Sequence, residues 1–264
     1  MLWDTHIHSD FSHDGKASLE EMINAAKQRK LSGICITEHL DIADTENEVS
    51  FPLDLEAYVK KCKELSEKEE FSVCTGIEFS IRPSFSQYLQ QIANTHEFDF
   101  IIGSCHDVPR REDQESDLCQ MEEQMYAGYF LNILESVKTV DAFDVCGHID
   151  YVVRYGSNQN KYYTYEKYAD IIDEILRTLI THGKGIEINT SGLRYGLGQT
   201  HPTEKIIKRY HELGGEIITI GSDGHAPDQI AYGFDKVPYI LKEAGFQYFT
   251  VFKKRKPEFW KIEI

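Results

Sequence analysis

Basic residues are scarce in this chain. Its 264 residues carry 28 Lys and Arg against 44 Asp and Glu, a formal charge of −16. A chain so acidic repels a phosphate backbone unless its cations are gathered in one place. The one run of them is KKRK at 253–256, read as a solvated face, so no nucleic-acid partner is expected. No apolar stretch reaches the about 20 residues a membrane helix needs, and no membrane partner is expected either. A signal peptide is not expected, because the sequence passes at once into Asp4 and His6. The six cysteines (Cys35, Cys62, Cys74, Cys105, Cys119 and Cys146) form no C-x-x-C pair. Four of them lie in the apolar contexts GICIT, SVCTG, IGSCH and DVCGH, which suit buried reduced thiols rather than disulfides and point to the cytoplasm. There is no Pro/Gly/Ser linker, repeat or low-complexity segment, so residues 1–264 read as one domain.

What is present is 41% hydrophobic residue, enough for a sizeable core. Short β-rich segments at 2–8, 32–37, 71–79, 98–104, 142–148, 184–190 and 216–223, with a doubtful eighth at 246–252, alternate with amphipathic ones. Helices are expected at 18–30 and 84–95, each opening with capping-box spacing (Ser18 to Glu21, Ser84 to Gln87). Others are expected at 53–70, 117–140, 165–183 (ending on a glycine) and 202–215 (opening on Pro202). Repeated strand–helix alternation implies an α/β fold with parallel strands, and this many units in a chain of this length imply a closed barrel more than an open sheet.

Seen on that scaffold, the opening segment DTHIHSDFSHDG acquires partners. The expected strands end in His6 and His8; in Glu38 and His39 (TEH); in Glu78 (GIEF); in His106 (GSCHD); in His148 and Asp150 (GHID); and in Asp223 and His225 (GSDGH). Only 184–190 and the doubtful eighth lack such an ending. In a parallel barrel these ends converge on one face, and residues i and i+2 of a strand point to the same side. Imidazole mixed with carboxylate suits Zn, Mn or Fe. So many ionisable groups without cations would be costly through repulsion and desolvation. A single HxH, or one buried His such as His106 or His148, would by itself read as ordinary core; the coincidence at the ends of several strands favours metal. Asp14 is either the tip of an SHDG turn or a further ligand. His96, His182 and His211 read as surface residues of helices, and His201 as a helix-capping residue.

These motifs, in this order, resemble the polymerase and histidinol phosphatase (PHP) family of metal-dependent phosphoesterases: HxH with a following DG, TEH, the later His of GSCH and GHID, and SDGH. EINTSGLR at 187–194 resembles the stand-alone histidinol-phosphate phosphatase branch. The resemblance implies a distorted (β/α)7 barrel, TIM-like, with three divalent ions at the C-terminal ends of its strands. By position one ion would take His6, His8, Glu78 and Asp223, a second Glu78, His106 and His148, and a third Asp14, His39 and His225, with His13 as a neighbour of the third. Arg194, and more loosely Arg154, match phosphate-binding arginines.

The implied reaction is hydrolysis of a phosphate monoester, L-histidinol phosphate, by attack of a metal-bridging hydroxide, a step in histidine biosynthesis. Glu78, Asp223, His225 and Arg194 would carry the catalysis, with Arg194 neutralising the equatorial oxygens through its planar fork. Glu38 and Asp107, next to ligands, would orient metal-bound histidines or else be exposed loop residues. Three other functions remain open: phosphoesterase action on another small ester or nucleotide, a metal-binding module without turnover, and a barrel hydrolase of amides. The amide hydrolases typically bridge their metals with a carboxylated Lys, a role Glu78 would fill here.

Overall fold

The computed structural model describes residues 2–41, 53–108, 118–156 and 158–264, the side chains of residues 118–121 excepted, so Cys119 lies outside the described side chains. Among the described residues the chain runs β1 (Trp3–Ile7), α1 (Leu19–Gln28), β2 (Gly33–Leu40), α2 (Leu55–Lys68), β3 (Ser72–Ser80), α3 (Ser86–Thr95), β4 (Phe100–Ser104) and α4 (Leu118–Thr139). It continues with β5 (Val145–Cys146), α5 (Ala169–Thr181), β6 (Gly185–Asn189), the single turn α6 (Ser191–Arg194), α7 (Glu204–Glu212), β7 (Ile218–Gly221), α8 (Val237–Ala244), β8 (Tyr248–Lys253) and β9 (Lys256–Lys261).

Strands β1 to β7 pair in chain order, every pair parallel. Parallel neighbours require a crossover, which the helices supply while covering the outer face. That is why strand residues such as Ile34, Ile36, Ile101, Ile102, Ile186, Ile188, Ile218 and Ile220 are all buried. The sheet curls until β1 meets β7. The seam closes at the C-terminal end of β1: Ile7 bridges Gly224, Asp223 N donates to His6 O at 2.8 Å, and His8 N donates to Gly224 O at 2.9 Å. The result is the distorted seven-unit α/β barrel expected from the sequence.

Local differences have local causes. β5 is only Val145–Cys146, and just before it the Asp144 carboxylate accepts the Ile101 N–H at 2.8 Å. The capping box at Ser18 forms as expected, but the one at Ser84 does not. Pro83 starts a 3₁₀ turn, so Ser84 already lies inside helical geometry, and α3 begins only at Ser86. α7 starts at Glu204 with Thr203 before it, leaving Pro202 outside the helix.

The eighth segment is outside the barrel. β8 pairs antiparallel with β9, and Lys254 and Arg255 form the turn at φ +50° and +61°, the paired left-handed geometry that matches strand twist in two-residue hairpins. KKRK is therefore not merely a solvated face. Arg255 Nε donates to both oxygens of the buried Asp144, at 2.7 and 2.6 Å, and the Lys254 N–H donates to Asp99 Oδ1 at 2.9 Å. Phe252 stacks on Phe100 (centroids 5.2 Å) and Trp260 meets Trp3 edge-on (5.6 Å). Trp3 and Phe100 are the first residues of their strands, so the hairpin covers the end of the barrel opposite the strand C-termini. The cysteines Cys35, Cys62, Cys74, Cys105 and Cys146 are free and buried, and burial pushes the Cys62, Cys74 and Cys105 thiols up to about 12.

Candidate metal centre

The open end of the barrel gathers the residues that the sequence places at strand ends. His6 and His8, two apart, turn to the same side and are wholly buried, their rings 5.1 Å apart. Glu78, buried on β3, is the hub. Its oxygens lie 3.4 Å from His6 Nε2, 3.7 Å from His8 Nε2, 2.8 Å from His39 Nδ1, 3.3 Å from His106 Nε2 and 3.0 Å from His148 Nε2. Asp223 Oδ1 is 3.8 Å from His6 Nε2 and 3.5 Å from His8 Nε2. Its backbone is left-handed at φ +54°, a conformation Asp tolerates better than most side chains, and its N–H closes the barrel seam on His6. Asp14 and His225 meet at 3.1 Å, with His39 Nε2 3.6 Å from Asp14. Asp14, itself exposed, faces this pair, and the neighbouring His13 ring lies 5.7 Å from that of His39.

Whether these residues suit cations is answered by their hydrogen bonding. His6 Nε2, His8 Nε2, His39 Nδ1 and Glu78 Oε2 are buried without a hydrogen-bond partner. His39 Nδ1 and Glu78 Oε2 are close yet misaligned for a hydrogen bond, and His39 Nε2 faces His225 Nε2 at 3.3 Å. Orphaned buried polar atoms are costly, and lone pairs that converge on one another are what a shared cation satisfies. Four groups have ligand atoms mutually within 4.8 Å: His6/His8/Asp223, His6/Glu78/His148, His8/His39/His225 and His39/Asp41/His106. The residues fit a cluster of divalent ions.

The electrostatics agree. Burial works to raise the Glu78 carboxyl, but the imidazoles of His6, His106 and His39 outweigh it and hold it well below the usual range. Burial likewise opposes charge on His6, yet Glu187, Glu78 and Asp223 raise it well above an ordinary imidazole. His8 goes the other way, pushed well down by burial and by the His39 and His225 rings. A ligating nitrogen must be free of its proton, so cation binding here would be linked to proton release.

Above this floor lies a cavity of about 470 Å³, walled by Tyr151, Arg154, Arg194, Tyr195 and Gln229. Arg194 comes from the turn that follows β6 and donates to the Ser222 and Asp223 carbonyls, both at 2.9 Å. Arg154 comes from the 3₁₀ turn Tyr151–Tyr155 after β5, its guanidinium 3.7 Å from the Tyr151 ring centre and 4.5 Å from that of Tyr195. Two cations thus face a floor of imidazoles and carboxylates.

A family model described as PHP domain matches residues 4–191, from just before the HxH to the start of the turn that carries Arg194. The chain belongs to the PHP domain family. It is similar to a Clostridium acetobutylicum protein named probable histidinol-phosphatase, 32% identical over 240 residues that span 89% of this chain and 90% of that one. It is also similar to the Lactococcus lactis histidinol-phosphatase, 30% identical across 96% and 95% of the two chains. Among solved structures, the L. lactis histidinol phosphate phosphatase, crystallised with zinc, L-histidinol and phosphate, superposes with a TM-score of 0.85 at 28% identity, covering 97% of this chain and 98% of that one.

Within this PHP barrel several expectations need correcting. Asp150 is not at the metal centre: its carboxylate accepts from His201 Nδ1 at 2.6 Å, from the Thr203 N–H at 2.9 Å and from the Tyr163 hydroxyl at 3.2 Å. His201 therefore caps no helix; it is a buried partner of Asp150. Asp107 pairs with Arg82 instead of orienting a histidine. Glu38 is buried and acts at one remove. It accepts from Ser9 N at 3.0 Å and from the Ser9 and Ser12 hydroxyls, and Ser12 Oγ in turn accepts the His39 N–H at 3.0 Å. Two further carboxylates, which the strand-end pattern does not single out, lie beside candidate ligands. Asp41 lies 3.2 Å from His106 Nδ1, and Glu187 lies 2.7 Å from His6 Nδ1. Asp41 carries an i+2 signal after His39, and Glu187 is the one charge inside the apolar strand GIEIN.

Proposed function

We propose that the protein is a metal-dependent phosphomonoesterase that hydrolyses L-histidinol phosphate to L-histidinol and phosphate. One observation carries this reading: a floor of His6, His8, His39, Glu78, His106, His148, Asp223 and His225 lies beneath a cavity whose walls include the guanidiniums of Arg154 and Arg194. It is supported by the likeness to a relative that holds zinc, L-histidinol and phosphate together.

Three divalent ions are proposed, held by His6, His8, Glu78 and Asp223; by Glu78, His106 and His148; and by Asp14, His39 and His225. Zinc is the first candidate, with manganese and iron as alternatives. When bound, such ions make water nucleophilic at neutral pH and neutralise phosphoryl oxygens. The chain itself supplies the rest. Arg194, with both Nη atoms already anchored on carbonyls, presents its remaining N–H groups to the phosphate, and Arg154, stacked between tyrosines, takes a second oxygen edge. Glu78 and Asp223, buried and held ionised, fix the floor on which phosphorus sits. His225 holds its ring through Nδ1 on the Asp223 carbonyl at 3.0 Å, which aims Nε2 at Asp14 and His39. The charge of −16 favours a substrate whose organic part is cationic, as the amine and imidazole of histidinol are, and disfavours nucleic acid. No described helix is long and apolar enough to cross a membrane. The free buried thiols suit the cytoplasm, where we place the enzyme, in histidine biosynthesis.

The test pairs elemental analysis of the purified protein with phosphate release from histidinol phosphate and from a panel of nucleoside and sugar phosphates. The reading expects several equivalents of metal and a marked preference for histidinol phosphate. Equal rates across the panel would remove the substrate assignment, and a protein free of metal yet fully active would remove the mechanism.

A further inference from the structure

β6 is the barrel strand whose end offers no candidate ligand, yet its third residue is a carboxylate with no exposure to solvent. Glu187 Oε1 accepts from His6 Nδ1 at 2.7 Å. Its Oε2 accepts from the His148 N–H at 3.0 Å and from Asn189 Nδ2 at 3.1 Å. Asn189 Oδ1 then accepts the Ser191 N–H at 3.0 Å, at the start of the turn that carries Arg194. One carboxylate is thus tied to the β1 histidine, to the backbone of the β5 histidine and, through Asn189, to the arginine turn. Space for it exists because β7 carries a glycine, Gly221, at the position paired with Asn189. A Cβ there would stand 2.1 Å from Glu187 Oε1 and 2.4 Å from His6 Cβ.

The chemistry of a histidine ligand gives this contact its meaning. An imidazole that donates Nδ1–H to a fixed carboxylate has its Nε2 lone pair left over, its ring direction set and its basicity raised. His6 Nε2 is the buried atom without a hydrogen-bond partner, pointing at Glu78 and Asp223. We propose that Glu187 is a positioning residue of the metal centre, selecting the His6 nitrogen that meets the cation and holding His148 and the Arg194 turn in register with it. The inference rests on the reading of His6 as a metal ligand and adds a strand that contributes to the site without touching metal.

The experiment measures zinc dissociation by chelator competition for the full-length parent, Glu187→Gln, Glu187→Asp and His6→Ala, beside the melting temperature of each zinc-free protein. Gln keeps the size of the side chain but cannot accept all three hydrogen bonds, and Asp keeps the charge but falls short of His6. Both should bind zinc about 10- to 100-fold more weakly, with zinc-free melting close to the parent's. Their phosphatase activity should recover as zinc is raised, which damage to the fold alone would not allow. Parent-like zinc affinity in the Glu187 variants, with zinc lost from His6→Ala, overturns the inference and leaves the metal reading standing. Parent-like affinity in His6→Ala overturns the metal reading itself. Failure of both Glu187 variants to fold with zinc present also overturns the inference, because Glu187 would then be a requirement of the core.

Discussion

Arg194 is held in place before any phosphate arrives, two of its N–H groups being fixed on the Ser222 and Asp223 carbonyls. A pre-ordered fork acts on developing charge without first reorganising, and removing one such donor typically costs about 10²–10³ in kcat. Arg194→Ala is therefore expected to lower kcat by that order and raise KM while leaving metal content near the parent's, as read by steady-state kinetics and elemental analysis. Kinetics like the parent's would remove Arg194 from the phosphate clamp. His6→Ala and Glu78→Ala should do the reverse, shedding metal and abolishing hydrolysis while circular dichroism stays that of the folded chain. At this scale the sequence was readable where chemistry repeats at short spacing. His6 with His8 declares a shared side by its i, i+2 interval; Asp223 and His225 also meet at the site, but past the end of β7 and through the left-handed Asp223 backbone rather than by strand alternation. It was unreadable where a partner is distant. Nothing in GIEIN says that Glu187 will meet His6, and nothing in GHID says that Asp150 will meet His201 rather than a metal, because those pairings exist only once the barrel has closed.

The elements carry their own tests. Ser18 caps α1 reciprocally with Glu21, and Ser18→Ala should cost about 1 kcal/mol in urea denaturation. α5 and α7 are joined where Arg209 grips Asp173, with Nε 3.0 Å from Oδ1. The hydrogen bonds from Arg209 hold the Asp173 carboxyl below its usual range. A depressed carboxyl stabilises the fold above the ordinary carboxylate pKa, and that contribution fades as pH falls through the lower, folded value. Asp173→Asn should then destabilise modestly at neutral pH, the pair being screened by solvent, and the gap to the parent should shrink in acid. A gap that widened towards acid would contradict the sign. Strand positions were legible because a parallel barrel demands apolar segments of one kind at regular intervals. The 246–252 segment has the same composition but pairs backward with 256–261, and composition does not record direction.

For the whole molecule, the cluster of buried imidazoles and carboxylates is a liability that cations remove. Stripping metal with a chelator should lower the melting temperature, and restoring zinc should raise it in proportion to the logarithm of free zinc. The gain is about 4 kcal/mol when zinc stands 1,000-fold above its dissociation constant. A melting temperature indifferent to chelator would mean that the cluster holds no ion. The β1–β7 seam also ties the start of the barrel to its end. The first four staves and the loops after them bring His6, His8, His39, Glu78 and His106. Asp223 and His225, however, arrive with the last stave, the same one that clasps the first. A chain cut short before Ile218 would lack both the clasp and two of the proposed ligands, and is expected to release no phosphate.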